Sequence, residues 1–155
     1  MSLNSPKARA IDASKLRFGI VASRFNETLV DALVDRASEL LKGSKRLEVV
    51  RVPGAHEIPW AAQQLAAGKR FDCVIALGVL IGGDTNHHEM VGQSVSQALQ
   101  QIAITTDIPV INGVIVANTQ AQAEARCTGK INRGAEFAHA ALEMAALKRT
   151  FSKKS

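Results

Sequence analysis

A chain of 155 residues fits one domain and is long enough to bury a substantial core. Hydrophobic residues make up 46% and charged residues 21%, the balance of a globular protein rather than a disordered one. The formal net charge of +5 comes from Lys and Arg spread along the chain, with small concentrations at Lys42, Lys45, Arg46 and the C-terminus. Only five Phe and one Trp accompany them, with no interleaving of aromatic and basic residues, so nucleic acid is not expected as a partner.

Met1 to Lys15 lacks periodicity, contains Pro6 and reads as a disordered or loosely attached N-terminal arm (1–15). Leu16 to Ser23 is an apolar run of strand length. A helix is expected from about Asn26 to Lys42, where Val30, Leu33, Val34, Ala37 and Leu41 recur at spacings of three and four. Asn26 can cap it and Gly43 can end it. Leu47 to Val52 is β-branched and strand-like. Glu57 to Gly68 reads as a helix that tolerates Pro59 in its first turn.

Phe71 to Leu80 is nearly continuous in apolar character, as a central parallel strand buried on both faces should be. His87 to Thr105 is helical, with Val91, Val95, Ala98 and Ile102 on one face, and Ile108 to Ala117 is a fourth strand. Two helices, Gln120 to Arg126 and about Arg133 to Arg149, close the domain (16–150) around a break at Gly129, before a basic tail (151–155). This alternation predicts a three-layer α/β/α sandwich around a parallel four-stranded sheet, flavodoxin-like in its arrangement. Neither a span of about 18–20 apolar residues nor a signal peptide is visible, so a cytoplasmic protein with no membrane association is expected. Cys73 and Cys127 match no metal-binding spacing and read as reduced thiols.

In such sheets ligands bind beyond the carboxyl ends of the strands, which directs attention to four loops. After the first strand, Phe25 can stack on a planar heterocycle, or it can staple a helix capped by Asn26. After the second, Val52-Pro53-Gly54-Ala55-His56-Glu57-Ile58-Pro59 opens into a helix. Glu57 there is either a simple first-turn acid or an acceptor for a polyol.

After the third strand, Gly82-Gly83-Asp84-Thr85-Asn86 leads into His87 and His88. Glycines allow close backbone approach, Thr85 adds a hydroxyl, and the helix N-terminus favours an anion. The glycine spacing matches neither a P-loop nor a dinucleotide fingerprint. Adjacent helical residues face different ways, so a metal site using both histidines is not expected. One histidine can serve as a general acid or base; two solvated histidines in a first turn is the alternative. Arg126 is either an anion partner or a helix-terminal cation.

Taken in order, Phe25-Asn26, Val-Pro-Gly-Ala-x-Glu-Ile-Pro at 52–59, Gly-x-x-Ile-x-Gly-x-Thr-x-His at 78–87, Pro-Val-x-x-Gly at 109–113, Arg126 and Ala-Leu-Glu-Met at 141–144 resemble the lumazine synthase family, from about Leu16 to Leu147. The resemblance implies condensation of 5-amino-6-(ribitylamino)uracil with 3,4-dihydroxy-2-butanone 4-phosphate, releasing phosphate and water, without metal or organic cofactor. It puts Phe25 and Asn26 against the pyrimidine, which Leu80 and Ile81 contact through the main chain. Ala55, His56 and Glu57 fall on the ribityl chain, and Asp84 and Thr85 on the phosphate. His87 falls at the proton-transfer position.

By the same resemblance, Asn112 and Arg126 reach the site from an adjacent subunit of a pentamer or a multiple of pentamers. A sixty-subunit shell is included, and riboflavin synthase is a candidate partner. Asn112, His56, Met90 and Gly82 depart from the usual pattern, which has an aromatic at the first three positions and Arg at the fourth. The segment 129–134 is about one residue shorter than a frequent version, which leaves the equivalence of Arg133 open. A flavin-binding module without catalysis and a mainly structural shell protein are the alternatives.

Overall fold

The computed structural model describes residues 4–154; the first three residues of the expected arm and the last of the expected tail lie outside it. Four parallel strands form one sheet in the order β2-β1-β3-β4: β1 Arg17–Ser23, β2 Arg46–Val52, β3 Cys73–Ile81 and β4 Val110–Ala117. Between and after them run α1 Glu27–Leu41, α2 Ile58–Ala67, α3 His87–Thr106, α4 Gln120–Cys127 and α5 Arg133–Ser152. A single 3-10 turn, Ala55–Glu57, precedes α2.

Successive strand residues point to opposite faces, so a strand covered on both sides must be apolar throughout. β3 is buried from Cys73 to Val79, and its alternate residues supply two separate cores. Cys73, Ile75 and Leu77 join Phe18 and Ile20 beneath α1, α4 and α5. Val74 and Ala76 join Val21 and Phe71 beneath α2 and α3. Each large side chain fully buried in this way stabilises the fold by about 1.5–3 kcal/mol. Gly113 is required where α5 crosses β4, because a Cβ there would lie 2.7 Å from Ala76 O and 2.9 Å from the Phe137 ring.

Several boundaries differ from expectation for physical reasons. β4 begins at Val110 rather than Ile108, because Pro109 has no N–H to give the ladder; its carbonyl accepts from Val74 N–H instead. Asn26 does not cap α1 with its side chain. It adopts a left-handed conformation (φ 56°, ψ 46°) and its amide leaves the helix altogether. Gly43 lies beyond the Lys42 cap and its φ is not positive, so the left-handed ending associated with glycine is not used. α5 runs to Ser152, three residues past the expected end. Within the expected arm, residues 4–10 are exposed and without regular structure, but Ile11 and Ala13 pack on the core beneath α1.

At the amino edge of the sheet sits Asp72, 1% exposed. Its carboxylate accepts from Arg17 N–H (2.9 Å) and Arg17 Nε (3.2 Å), and from Lys148 Nζ (3.3 Å) and Arg149 Nη2 (2.9 Å). Burial alone would raise this carboxyl, but the hydrogen bonds from Arg17 and Arg149 outweigh it and hold it well below the ordinary carboxylate range. The cluster ties the start of β1 and β3 to the end of α5.

Candidate active site

β1 lies between β2 and β3, and the helices that follow β1 and β2 pack on opposite faces of the sheet, so a crevice opens at the carboxyl ends of β1 and β3. It holds a cavity of about 480 Å³ lined by Phe25, Asn26, the turn Gly54–Glu57, Val79 to Ile81, Gly83, Thr85, His87, His88 and Val91. Two roomier hollows lie elsewhere. One of about 700 Å³ sits between the ends of α3 and α5, and one of about 600 Å³ under residues 4–8. The smaller cavity is the candidate because three loops bring polar groups and open main-chain atoms to one point.

The first two loops are bonded to each other, and the first is bonded to β3. Arg24 N–H donates to Val52 O at 2.9 Å, and Phe25 N–H to Pro53 O at 3.1 Å, joining the loops after β1 and β2. Asn26 Nδ2 donates to Val79 O at 2.8 Å and ties the first loop to β3. That acceptor is free because the last β1–β3 pairing is Ala22 with Leu77, whereas β3 runs on to Ile81. The β1-facing main-chain groups between Gly78 and Ile81 therefore open into the cleft. The left-handed backbone at Asn26 aims its amide at them.

Phe25 is 71% exposed, and its ring lies beside Gly54, where a Cβ would sit 3.3 Å from it. Glu57 folds back so that Oε2 accepts from Gly54 N–H at 2.8 Å, which holds the turn and leaves Oε1 free, 3.9 Å from His56 Nδ1. The His56 side chain is exposed, whereas Ala55 is buried. Leu80 and Ile81 are half-buried on the wall. No side chain caps α3, so the first N–H groups of this long helix are open next to Gly83 and Thr85. Asp84 is exposed and lies outside the cavity lining.

His87 is exposed at the mouth of the cavity, and His88 is not the solvated neighbour that one reading of the sequence allowed. His88 is 9% exposed, with Nε2 at 3.3 Å from Asn118 Oδ1, and its Nδ1 is buried without a partner. Sequence reasoning missed His88 and Asn118, because their meeting depends on the β3 and β4 ends lying side by side. Gly82 was the available signal. A Cβ there would lie 2.8 Å from Asn118 O and 3.1 Å from His88 Nε2.

Asn112 and Arg126 do not join the cavity. Asn112 is exposed on β4, its Oδ1 accepting from Val114 N–H at 3.1 Å. Arg126 is half-exposed on α4, with Nη1 donating to Gln122 O at 2.8 Å. Arg133 is buried and paired with Glu136 in the hollow under residues 4–8. Burial raises both thiols, Cys127 to about 11, which keeps them protonated and unsuited to nucleophilic work. Among the described residues no three His, Cys, Asp or Glu side chains are grouped to hold a metal ion, and no helix is long and apolar enough to cross a membrane.

Residues 15–149 match a family model described as 6,7-dimethyl-8-ribityllumazine synthase. Curated proteins of that name resemble the chain over most of their length. That of Xanthomonas campestris pv. campestris (strain B100) is 44% identical over 133 residues, 83% of this chain and 86% of the relative. That of Thermococcus gammatolerans is 40% identical over 136 residues, covering 86% and 88%. That of Leuconostoc mesenteroides subsp. mesenteroides is 37% identical over 143 residues, covering 89% and 92%.

Proposed function

The chain belongs to the 6,7-dimethyl-8-ribityllumazine synthase family, and from that premise we propose how its cleft carries out the family's reaction. The activity is condensation of 5-amino-6-(ribitylamino)uracil with 3,4-dihydroxy-2-butanone 4-phosphate, with release of phosphate and water, in riboflavin biosynthesis. The observation that carries the site assignment is the convergence of Phe25, Glu57, Thr85 and His87 on one cleft from loops far apart in sequence.

The pyrimidine lies against the Phe25 ring, with Asn26 beside it and the wall at Leu80 and Ile81 along its edge, where the Ile81 main chain faces the cleft. The ribityl chain runs over the turn at Ala55 and His56, taking main-chain bonds there and donating a hydroxyl to the free Oε1 of Glu57. The ketose phosphate brings about two negative charges to the open N-terminus of α3. Thr85 donates through its hydroxyl. Asp84 contributes its main-chain N–H, since its carboxylate would repel a phosphate.

His87 moves the protons. The 5-amino group adds to the ketone and expels water to form an imine; a proton then leaves the neighbouring carbon as the phosphate departs, and the resulting enol becomes a ketone. The ribityl-bearing nitrogen adds to that ketone and expels a second water, which closes the ring. An imidazole at the cavity mouth can accept and return these protons near neutral pH, a contribution of about 10²–10⁴-fold. Much of the remaining acceleration comes from holding two substrates in register. No cofactor enters this scheme.

One positive partner for the phosphate is missing from the single-chain cleft. We assign it to Arg126 of an adjacent subunit, with Asn112 reaching the same neighbouring site. A pentameric ring is then the smallest complete unit, and stacked rings or a closed shell are multiples of it. Cytoplasmic location and association with riboflavin synthase belong to the same reading.

An assay with both substrates beside sedimentation tests it. Product is expected only from the assembled species, and dilution should remove activity and ring together. A yellow protein with bound flavin and no turnover would overturn the catalytic reading. A fully active monomer would overturn the shared site.

A further inference from the structure

His88 lines the cleft but has no part in the chemistry derived above. It occupies the first turn of α3, nine-tenths buried, with Nε2 at 3.3 Å from Asn118 Oδ1. An amide oxygen only accepts, so Nε2 carries the proton and the unpartnered Nδ1 is the bare nitrogen. Gly82 makes the room: a Cβ there would stand 3.1 Å from the ring nitrogen and 2.8 Å from Asn118 O.

Asn118 is where β4 ends and α4 begins. Its N–H donates to Gln122 Oε1 at 2.9 Å, and Gln122 N–H donates to Thr119 Oγ1 at 3.2 Å. Gln122 O in turn accepts from Arg126 Nη1 at 2.8 Å. A continuous run of bonded groups therefore leads from the cleft wall, through Asn118 and Gln122, to the Arg126 guanidinium. α4 has only eight residues and buries only Ala123 and Cys127. So short a helix with so small an apolar hold takes its orientation from the bonds at its two ends: Arg36 donates to Thr128 O at 2.6 Å and Gly129 O at 2.9 Å just past its last turn, and Asn118 and Thr119 bond Gln122 at its first.

We infer that His88 is a positioning residue. Through Asn118 it sets the lie of α4 and so of the Arg126 guanidinium presented to the adjacent subunit's phosphate, an inference that rests on the shared-site reading above. The wall of one cleft thereby governs phosphate affinity in the next. His87 and His88, neighbours in sequence, then serve different sites of the ring, the first by moving protons in its own cleft and the second by fixing an arginine for another.

The test is a set of variants of the assembled enzyme: His88→Phe, which keeps ring volume but cannot donate; His88→Gln, whose amide can donate in place of Nε2–H; Arg126→Ala; and the His88→Phe/Arg126→Ala double variant. In His88→Phe, KM for the ketose phosphate and the inhibition constant of inorganic phosphate should both rise about three- to tenfold, the scale of one lost hydrogen bond. Turnover and KM for the pyrimidine should stay within twofold. His88→Gln should recover most of the loss, and the double variant should be no worse than Arg126→Ala alone.

Unchanged phosphate affinity in a folded His88→Phe ring, or losses that multiply with those of Arg126→Ala, would overturn the positioning role while leaving the Arg126 assignment intact. Arg126→Ala without effect on phosphate would overturn both. Should His88→Phe fail to assemble, His88→Gln and Asn118→Ala carry the test. Near-native phosphate affinity is required in the first and loss in the second, and any other pattern counts against the role.

Discussion

The two edges of the sheet handle polar groups in opposite ways. At the amino edge one buried carboxylate, Asp72, takes bonds from three cations brought by β1 and α5, and both of its oxygens are engaged. At the carboxyl edge Ser23 Oγ and His88 Nδ1 are buried without partners, the N-terminus of α3 is uncapped, and one Glu57 oxygen is free. Satisfied polar groups stabilise; unsatisfied ones cost stability and are tolerated where a ligand can complete them. The same parallel sheet is thus fastened at one end and left open for chemistry at the other.

The largest effect expected is at the fastened end. Asp72→Ala leaves three cations around an empty position and should lower stability by about 3–5 kcal/mol, read by chemical denaturation. KM values measured well below the melting temperature should stay unchanged; a parallel loss of substrate affinity would erase the distinction between the edges. The acid response follows from the same group. Its folded-state carboxyl is held below the ordinary value of 3.8, so its stabilisation is complete above that value and is lost as pH falls below it. Asp72→Asn should therefore show a shallower loss of stability on acidification than the parent.

At the open end the largest effect belongs to His87. His87→Ala should reduce turnover by about 10–10³-fold with no drop in melting temperature, since the side chain is exposed and carries no structural bond. Arg126→Ala comes next, with an expected rise of about tenfold in KM for the ketose phosphate and weaker inhibition by inorganic phosphate. Little change is expected in KM for the pyrimidine, and an equal change for both substrates would remove Arg126 from the phosphate. The smallest effect is His56→Ala. Its side chain is exposed and its role is through the main chain, so every kinetic constant should stay within about twofold. A larger loss would mean that the imidazole itself touches the ribityl chain.

The strands, the five helices and the loops that bear the site were legible in order, because apolar periodicity and Pro-Gly or Gly-Gly turns are local properties. So was the family, through the blocks at 52–59 and 78–87, which lie side by side in the cleft. Less legible was how individual polar residues are used. Asn26 reads as a helix cap, and as a cap it would have bonded its own helix. It leaves that task because a free carbonyl at Val79 lies within reach only once β3 outruns β1.

His88 follows His87 in the chain and shares its composition of neighbours, so nothing local separates an exposed imidazole from a buried one. The rotation of α3 on the sheet and the gap at Gly82 separate them. Asp72 likewise falls within the run Phe71 to Leu80 expected as the third strand, which in the fold begins only at Cys73, and nothing local marks it as the centre of an ion cluster. Its partners Lys148 and Arg149 arrive from the far end of the chain, and their long-range bonds exist only when α5 lies along the sheet.

By itself, then, the sequence determined the alternation of strands and helices, the apolar faces that build two cores, and the motifs that mark the family. All of these depend on residue type at short spacing. Tertiary structure alone decided which polar groups meet: the Asp72 cluster, the Asn26 tie to β3, and the contact of His88 with Asn118. It also set Asn112 and Arg126 apart from the cleft of their own chain. Hydrogen bonds form only within about 3.5 Å, and residues separated by tens of positions come that close only when packed elements bring them there.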